Sequence, residues 1–182
     1  MTSTLPARLD IDDEPGPGTA ACLRLYRKLA AGVAIVTSTG VEGPVGLTAS
    51  SVTSVSLHPP ALLVCLAAGS RTLAAIRTQR AFAVHLLRDD QHVHARTFAD
   101  PTTGTVDRFA GLRYRERLGV PVLADTLAWS VCFVVDEVAY GDHCVVLGQV
   151  AAAEATEGRP LLWHDRSFGR FETPPPAAGS PR

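Results

Sequence analysis

The chain has 182 residues, of which 46% are hydrophobic and 19% charged, with a formal net charge of −1. That length can bury a core without disulfides or metals, and the composition is globular rather than disordered. Near-neutral charge without a run of Lys or Arg argues against nucleic acid and anionic membrane as partners.

The N-terminus, "MTSTLPARLDIDDEPGPG", is polar and acidic, with no apolar segment of the signal-peptide kind. Residues 1–18 and 173–182 are rich in Pro and Gly and lack periodicity, so both are expected to be disordered tails around a folded part at 19–172. Cys22, Leu25, Tyr26, Leu29 and Ala30 recur with helical spacing, with Thr19 placed to cap the helix and Gly32 to end it. "VAIVTS" reads as a strand and "GVEGP" as a turn. Val45 to Leu57 reads as one long strand and Ala61 to Ala67 as a second. Arg71 to Gln79 is a short helix with Leu73 and Ile76 inward, and "AFAVHLL" is a strand.

Asp89 to Ala99 reads as a helix opened by acidic residues. Residues 100–125 read as mostly loop. Leu127 to Val138 and Cys144 to Ala153 are long apolar strands joined at "YGDH", and a last strand runs from about Ser167 to Phe171. Strands dominate and do not alternate with helices. The predicted class is therefore mainly β, an antiparallel barrel with a few short helices on its rim. No G-x-G-x-x-G or Walker-type motif opens a helix, so a nucleotide-like ligand would bind outside those frameworks. Cys22, Cys65, Cys132 and Cys144 form no C-x-x-C pair, which points to free thiols and a cytoplasmic setting.

Three stretches carry candidate chemistry. In "GLTASSVTSVSL", alternate residues put Thr48, Ser50, Ser54 and Ser56 on one strand face. Such a face can hydrogen-bond a flat ligand, or simply meet water. Ser70-Arg71-Thr72 sits where a buried strand hands over to a helix, a seat for a phosphate or an ordinary cap beside a solvated Arg. In "YGDHCVVLGQV", His143 opens a strand, where it can contact a cofactor, donate a proton or stand as a surface turn residue. Gly148 marks a close approach or a kink. His92 and His94 are two apart on a helix and diverge, which argues against a metal site.

Taken in order, "LAAGVAIVTS", "GLTASSVTSVSLHPPALLVCL", "SRT", "FAVHLL", "DRFAG", "GVPVLADTLAWSVC", "GDHCVVLGQV" and "PLLWHDRSFGRF" resemble the flavin reductase family with the FMN-binding split-barrel fold. These are the small reductase components of two-component flavin monooxygenases. The resemblance spans Leu25 to Phe171. It implies an NAD(P)H:flavin oxidoreductase that reduces FMN or FAD with NADH or NADPH and supplies reduced flavin to a separate monooxygenase. It also implies a homodimer. By that match Thr48, Ala49, Ser50 and Ser51 flank the ring and ribityl chain, while Ser70, Arg71 and Thr72 seat the phosphate. Cys65 lies beneath the ring or fills the core. His143 stands beside the nicotinamide as the catalytic candidate, Phe168 covers the cleft, and Arg108 and Phe109 border the pocket. His85 stands where the family often has Asn, as a ligand contact or as a core histidine satisfied by backbone. Phe168 stands where the family often has Tyr. Two other functions fit the same motifs: a flavin sensor or carrier without turnover, and a flavoprotein of this fold acting directly on an organic substrate.

Overall fold

A computed structural model of the chain describes residues 18–104 and 108–172. Apart from Gly18, the tails expected at 1–18 and 173–182 lie outside the described residues. Three helices are described, α1 (Thr19–Tyr26), α2 (Arg71–Gln79) and α3 (His92–Ala99). A seven-stranded sheet contains β2 (Ala34–Gly40), β3 (Gly43–Ala49), β4 (Val52–Leu57), β5 (Pro60–Ala67), β6 (Ala81–Leu86), β9 (Ala128–Tyr140) and β10 (His143–Ala155). Its order is β3-β2-β6-β9-β10-β5-β4, antiparallel throughout. A second sheet joins β1 (Ala31–Gly32), β11 (Leu161–His164) and β12 (Ser167–Arg170), and β7 (Tyr114–Arg117) pairs with β8 (Val120–Leu123). This is the expected mainly β, antiparallel split barrel with short helices on its rim.

The curl of the sheet follows from one connection. β3 and β4 are its two opposite edges, yet only Ser50 and Ser51 separate them in the chain. Three Cα steps span at most about 11 Å, so the edges must come together and the strip must close. Ser51 fastens the closure: its carbonyl accepts from Cys65 N at 3.2 Å, and its hydroxyl donates to Cys65 O at 2.7 Å. The reading of Val45 to Leu57 as one strand is therefore corrected. The chain leaves one edge at Ala49 and joins the other at Val52.

The barrel interior is apolar, with Val36, Val64, Leu66, Phe82 and Val146 fully buried, and Leu73 and Ile76 of α2 closing it as expected. A Cβ on Gly148 would come within 2.5 Å of the Phe82 ring and 2.8 Å of Cys132 Cβ. The register also shifts there, between Leu147 and Gly148. Close approach and a local irregularity thus both hold at this glycine. A second cluster, with Val33, Ile35, Phe98, Phe109 and Leu161, lies under α3, and a third, with Val120, Val122, Trp129 and Val131, lies under the β7–β8 hairpin.

Four further expectations change. α1 ends at Tyr26, its start carries no side-chain cap, and Leu25, Tyr26 and Leu29 of its stripe are exposed. α3 begins at His92, because Asp89 is held outside by Arg159 and Arg170 while the Gln91 side chain accepts from Arg88 N. The segment read as loop holds the β7–β8 hairpin, whose turn places Leu118 and Gly119 at φ of 51° and 81°. Leu161–His164 is a strand that pairs with Ser167–Arg170.

Candidate functional site

Three elements meet where the barrel is split. β3 brings Thr48, the link brings Ser50 and Ser51, and α3 packs across β3 with His92 and Arg96. The β11–β12 hairpin supplies Trp163, Arg166 and Phe168. Together they enclose a cleft of about 680 Å³, and a neighbouring cleft shares Ser50, Trp163 and Arg166 with α1.

The hydroxyls differ in what they offer. Thr48 Oγ1 donates to Ala95 O at 2.7 Å, which ties β3 to α3 and leaves the oxygen free only to accept. Ser51 is committed in the same way to Cys65. Ser50 has no partner among the described residues, is exposed and lines both clefts, so its hydroxyl can donate and accept. Ala49 is buried in the core, so only its backbone can reach a ligand. Cys65 is half-buried opposite Ser51 on β5.

Helix α2 starts close by. Ser70 caps it, with Oγ accepting from Leu73 N at 3.1 Å. That leaves the Arg71 and Thr72 N–H groups without an intrahelical acceptor. Thr72 is only 3% exposed, so the exposed residue of this turn is Arg71. Arg71 is exposed, and its charge reaches Arg108. Arg108 crosses from the loop to β3: Nη1 donates to Gly46 O at 2.7 Å and Nη2 to Asp100 O at 2.6 Å. Its Nε is buried without a partner. Burial and the nearby Arg71 charge push the guanidinium below its ordinary value, against the opposing pull of Asp100. Two guanidinium groups, free helix N–H groups and an orphaned donor make a locally positive seat that fits a phosphate.

His143 is half-exposed at the start of β10, with Nδ1 2.8 Å from Asp142 Oδ1. It pairs with Ala67, two residues beyond Cys65 on β5, or about 7 Å along the strand. Its place is the rim near the α2 start rather than the wall of the 680 Å³ cleft. Hydrogen bonding to His143 holds the Asp142 carboxyl below the usual range.

Two expected ligand contacts are corrected. His85 is 0% exposed, with Nδ1 3.0 Å from Ile35 O while Nε2 accepts from Leu123 N at 3.1 Å. Those partners require the neutral tautomer protonated at Nδ1, and neither nitrogen is left for a ligand. Phe109 is 6% exposed and packs edge-on against Phe98 at 5.1 Å and Tyr114 at 5.5 Å, so it is a core residue. Conversely, His92, Arg96, Trp163 and Arg166 line the cleft and were missed. Their signal was the i, i+4 spacing of His92 and Arg96 and the unread β11 strand preceding Phe168.

Burial pushes the His85 pKa down from 6.5 to about 4. The folded state therefore binds its proton later than the unfolded chain as pH falls. The stability linked to this neutral imidazole is complete above pH 6.5 and is lost progressively down to pH 4, by about 3 kcal/mol in all. Chemical denaturation across that window should show wild type losing this increment relative to His85→Asn. Parallel pH curves would contradict the assignment.

Comparison with known proteins follows the same geometry. A family model described as flavin reductase like domain matches residues 26–172. The chain is 41% identical over 142 residues to the reductase component of a Rhodococcus opacus 4-nitrophenol 4-monooxygenase/4-nitrocatechol 2-monooxygenase, covering 78% of this chain and 75% of that one. It is 37% identical over 173 residues to a Kitasatospora aureofaciens flavin reductase (NADH), covering 91% and 89%. A match to a longer Rhizobium meliloti protein, 42% identical over 131 residues, spans 41% of that protein. The solved structure of a Streptomyces globisporus NADH:FAD oxidoreductase in complex with NAD and FAD fragments superposes with a TM-score of 0.79 at 31% identity, covering 92% of this chain and 100% of that one.

Proposed function

We propose that this chain, which belongs to the flavin reductase family, is an NAD(P)H-dependent flavin reductase that passes reduced FMN or FAD to a separate monooxygenase. The observation that carries this reading is the positive seat at Arg71 and Arg108, anchored at Gly46 on the same strand, β3, that runs on to the break in the barrel at Ser50 and Ser51. A phosphate at one end and small residues at the other match the two ends of a flavin mononucleotide.

Bound flavin would supply the two-electron chemistry, taking hydride from the reduced nicotinamide. The chain's own task is to hold and orient. Arg71, the Ser70-capped helix start and the free Arg108 Nε bind the phosphate. Backbone and hydroxyl groups from Thr48 to Ser51 line the ring and ribityl chain, and backbone N–H groups there stabilise negative charge on the ring edge. Cys65 lies behind the link as packing. Phe168 covers the cleft from the hairpin, excluding water from the stacked rings, while carrying no hydroxyl to donate a proton. His143, oriented by Asp142, positions the nicotinamide amide from the rim. The two departures from the sequence-based set, His85 and Phe109, support this wall from within the core.

We infer a homodimer in a cytoplasmic setting. Leu25, Tyr26 and Leu29 beside the cleft, and Phe133, Val135 and Tyr140 on β9, are exposed apolar residues that a second copy would cover. Sedimentation equilibrium should return twice the chain mass, and a monomer at micromolar concentration would contradict this.

Turnover decides the function. Anaerobic mixing with FMN or FAD and NADH or NADPH should bleach the flavin and the nicotinamide band together at catalytic protein concentration. His143→Ala should lower turnover about ten-fold or more while leaving flavin affinity within about two-fold. Flavin binding without bleaching would leave a carrier, and consumption of reduced nicotinamide only with an added organic substrate would point to the direct oxidoreductase.

A further inference from the structure

Six of the fourteen arginines among the described residues pair with a carboxylate. Arg77 and Arg80 pair with Glu137, Arg113 with Asp125, Arg115 with Glu154, and Arg159 and Arg170 with Asp89. Arg96 and Arg166 are among those that do not, and they share one cleft. Both are exposed on the walls of the 680 Å³ cleft, and neither has a carboxylate partner among the described residues. No Asp or Glu among the described residues lines the cleft, whereas His92 does. Asp165, the acid adjacent to Arg166, is already paired with Lys28 at 3.0 Å. The wall is therefore cationic without internal compensation.

The positions of the two side chains are set by packing. Arg96 Cζ lies 5.6 Å from the centre of the Phe168 ring, a contact that steadies both groups. Phe168 is held in turn edge-on to Trp163 at 5.0 Å. Arg166 is the second residue of the two-residue β11–β12 turn, with φ of 46° at Asp165 and 67° at Arg166. Such turns favour Asn and Gly. An arginine kept in this conformation at a cleft mouth is retained against local preference, which fits a role in binding. Arg27 joins Arg166 in the neighbouring cleft.

The flavin phosphate already has its seat at Arg71 and Arg108, so a second cationic wall calls for a second set of phosphates. Resting on the flavin reductase reading, we propose that Arg96 and Arg166 bind the phosphates of the nicotinamide dinucleotide, and so set the affinity for the hydride donor. The shared chemistry is a nucleotide phosphate. Its source is either the pyrophosphate common to NADH and NADPH or the 2′-phosphate of NADPH alone.

The test replaces Arg96 and Arg166 by Gln, singly and together, and by Lys, in the full chain. With FMN saturating, KM for the dinucleotide should rise about ten-fold for each Gln, with kcat changed less than about two-fold. The Lys variants should recover part of the loss. Equal rises for NADH and NADPH identify the pyrophosphate, and a rise confined to NADPH identifies the 2′-phosphate. Reduced nicotinamide riboside, which carries no phosphate, should be little affected. Unchanged dinucleotide KM overturns the proposal, as does a parallel rise in the FMN Kd, because the wall would then serve the flavin. If wild type shows no turnover, the reductase reading fails by itself. Calorimetric titration with ADP-ribose and its 2′-phosphate then decides the arginines: binding that the double Gln variant loses supports the proposal, and absent or unaltered binding overturns it.

Discussion

The two-residue link at Ser50 and Ser51 is the constraint on which the rest depends. It joins the first and last strands of a seven-stranded sheet, so the sheet has no freedom to stay open. The paired bonds between Ser51 and Cys65 use backbone groups that would otherwise be orphaned at the crossing. The same link cannot continue a ladder on either side, because it is leaving one edge and joining another. That leaves a local gap lined by small residues, and Ser50 alone there keeps a hydroxyl free of partners among the described residues. Closure and cleft thus share one cause.

Electrostatics then separates two regions around the gap. On the α2 side, Arg108 spends two of its nitrogens on the carbonyls of Gly46 and Asp100 and keeps a third without a partner. Gly46 has its own reason to lack a side chain, since a Cβ there would lie 2.8 Å from the Phe98 ring. Packing of Phe98 and placement of Arg108 are therefore linked through one backbone position. On the α3 side, Arg96 and Arg166 stand about Phe168 without acidic neighbours in the cleft wall. Two phosphorylated ligands, one at each place, suit this division better than one ligand with a single anionic group.

Much of the fold was legible in the sequence. Strand alternation and turn residues located the β9–β10 hairpin, and α2 was bounded residue for residue because Ser70 is a good cap and Leu73 and Ile76 share one face. The break after Ala49 was not legible. Residues 45–57 keep a favourable strand pattern throughout, and only the pairing partners, far away in sequence, reveal the change of edge. The β7–β8 hairpin was hidden because Leu118 occupies a left-handed position that composition does not flag. Within the candidate site, motif resemblance singled out Ser70, which caps α2, exposed Arg71 and cleft-lining Phe168, but motif order cannot say which way a side chain turns. Hence His85 and Phe109 were placed in the pocket, although one satisfies two backbone groups in the core and the other packs between two rings.

The most direct test of the account titrates oxidised FMN and then riboflavin, which differ only by the phosphate, into wild type and Arg71→Ala while following flavin fluorescence. If the break in the barrel and the start of α2 grip one ligand, FMN binding should saturate with a Kd about ten-fold or more below that of riboflavin, and Arg71→Ala should close most of that gap. Equal affinities of wild type for FMN and riboflavin, or no saturable signal with either, would contradict it.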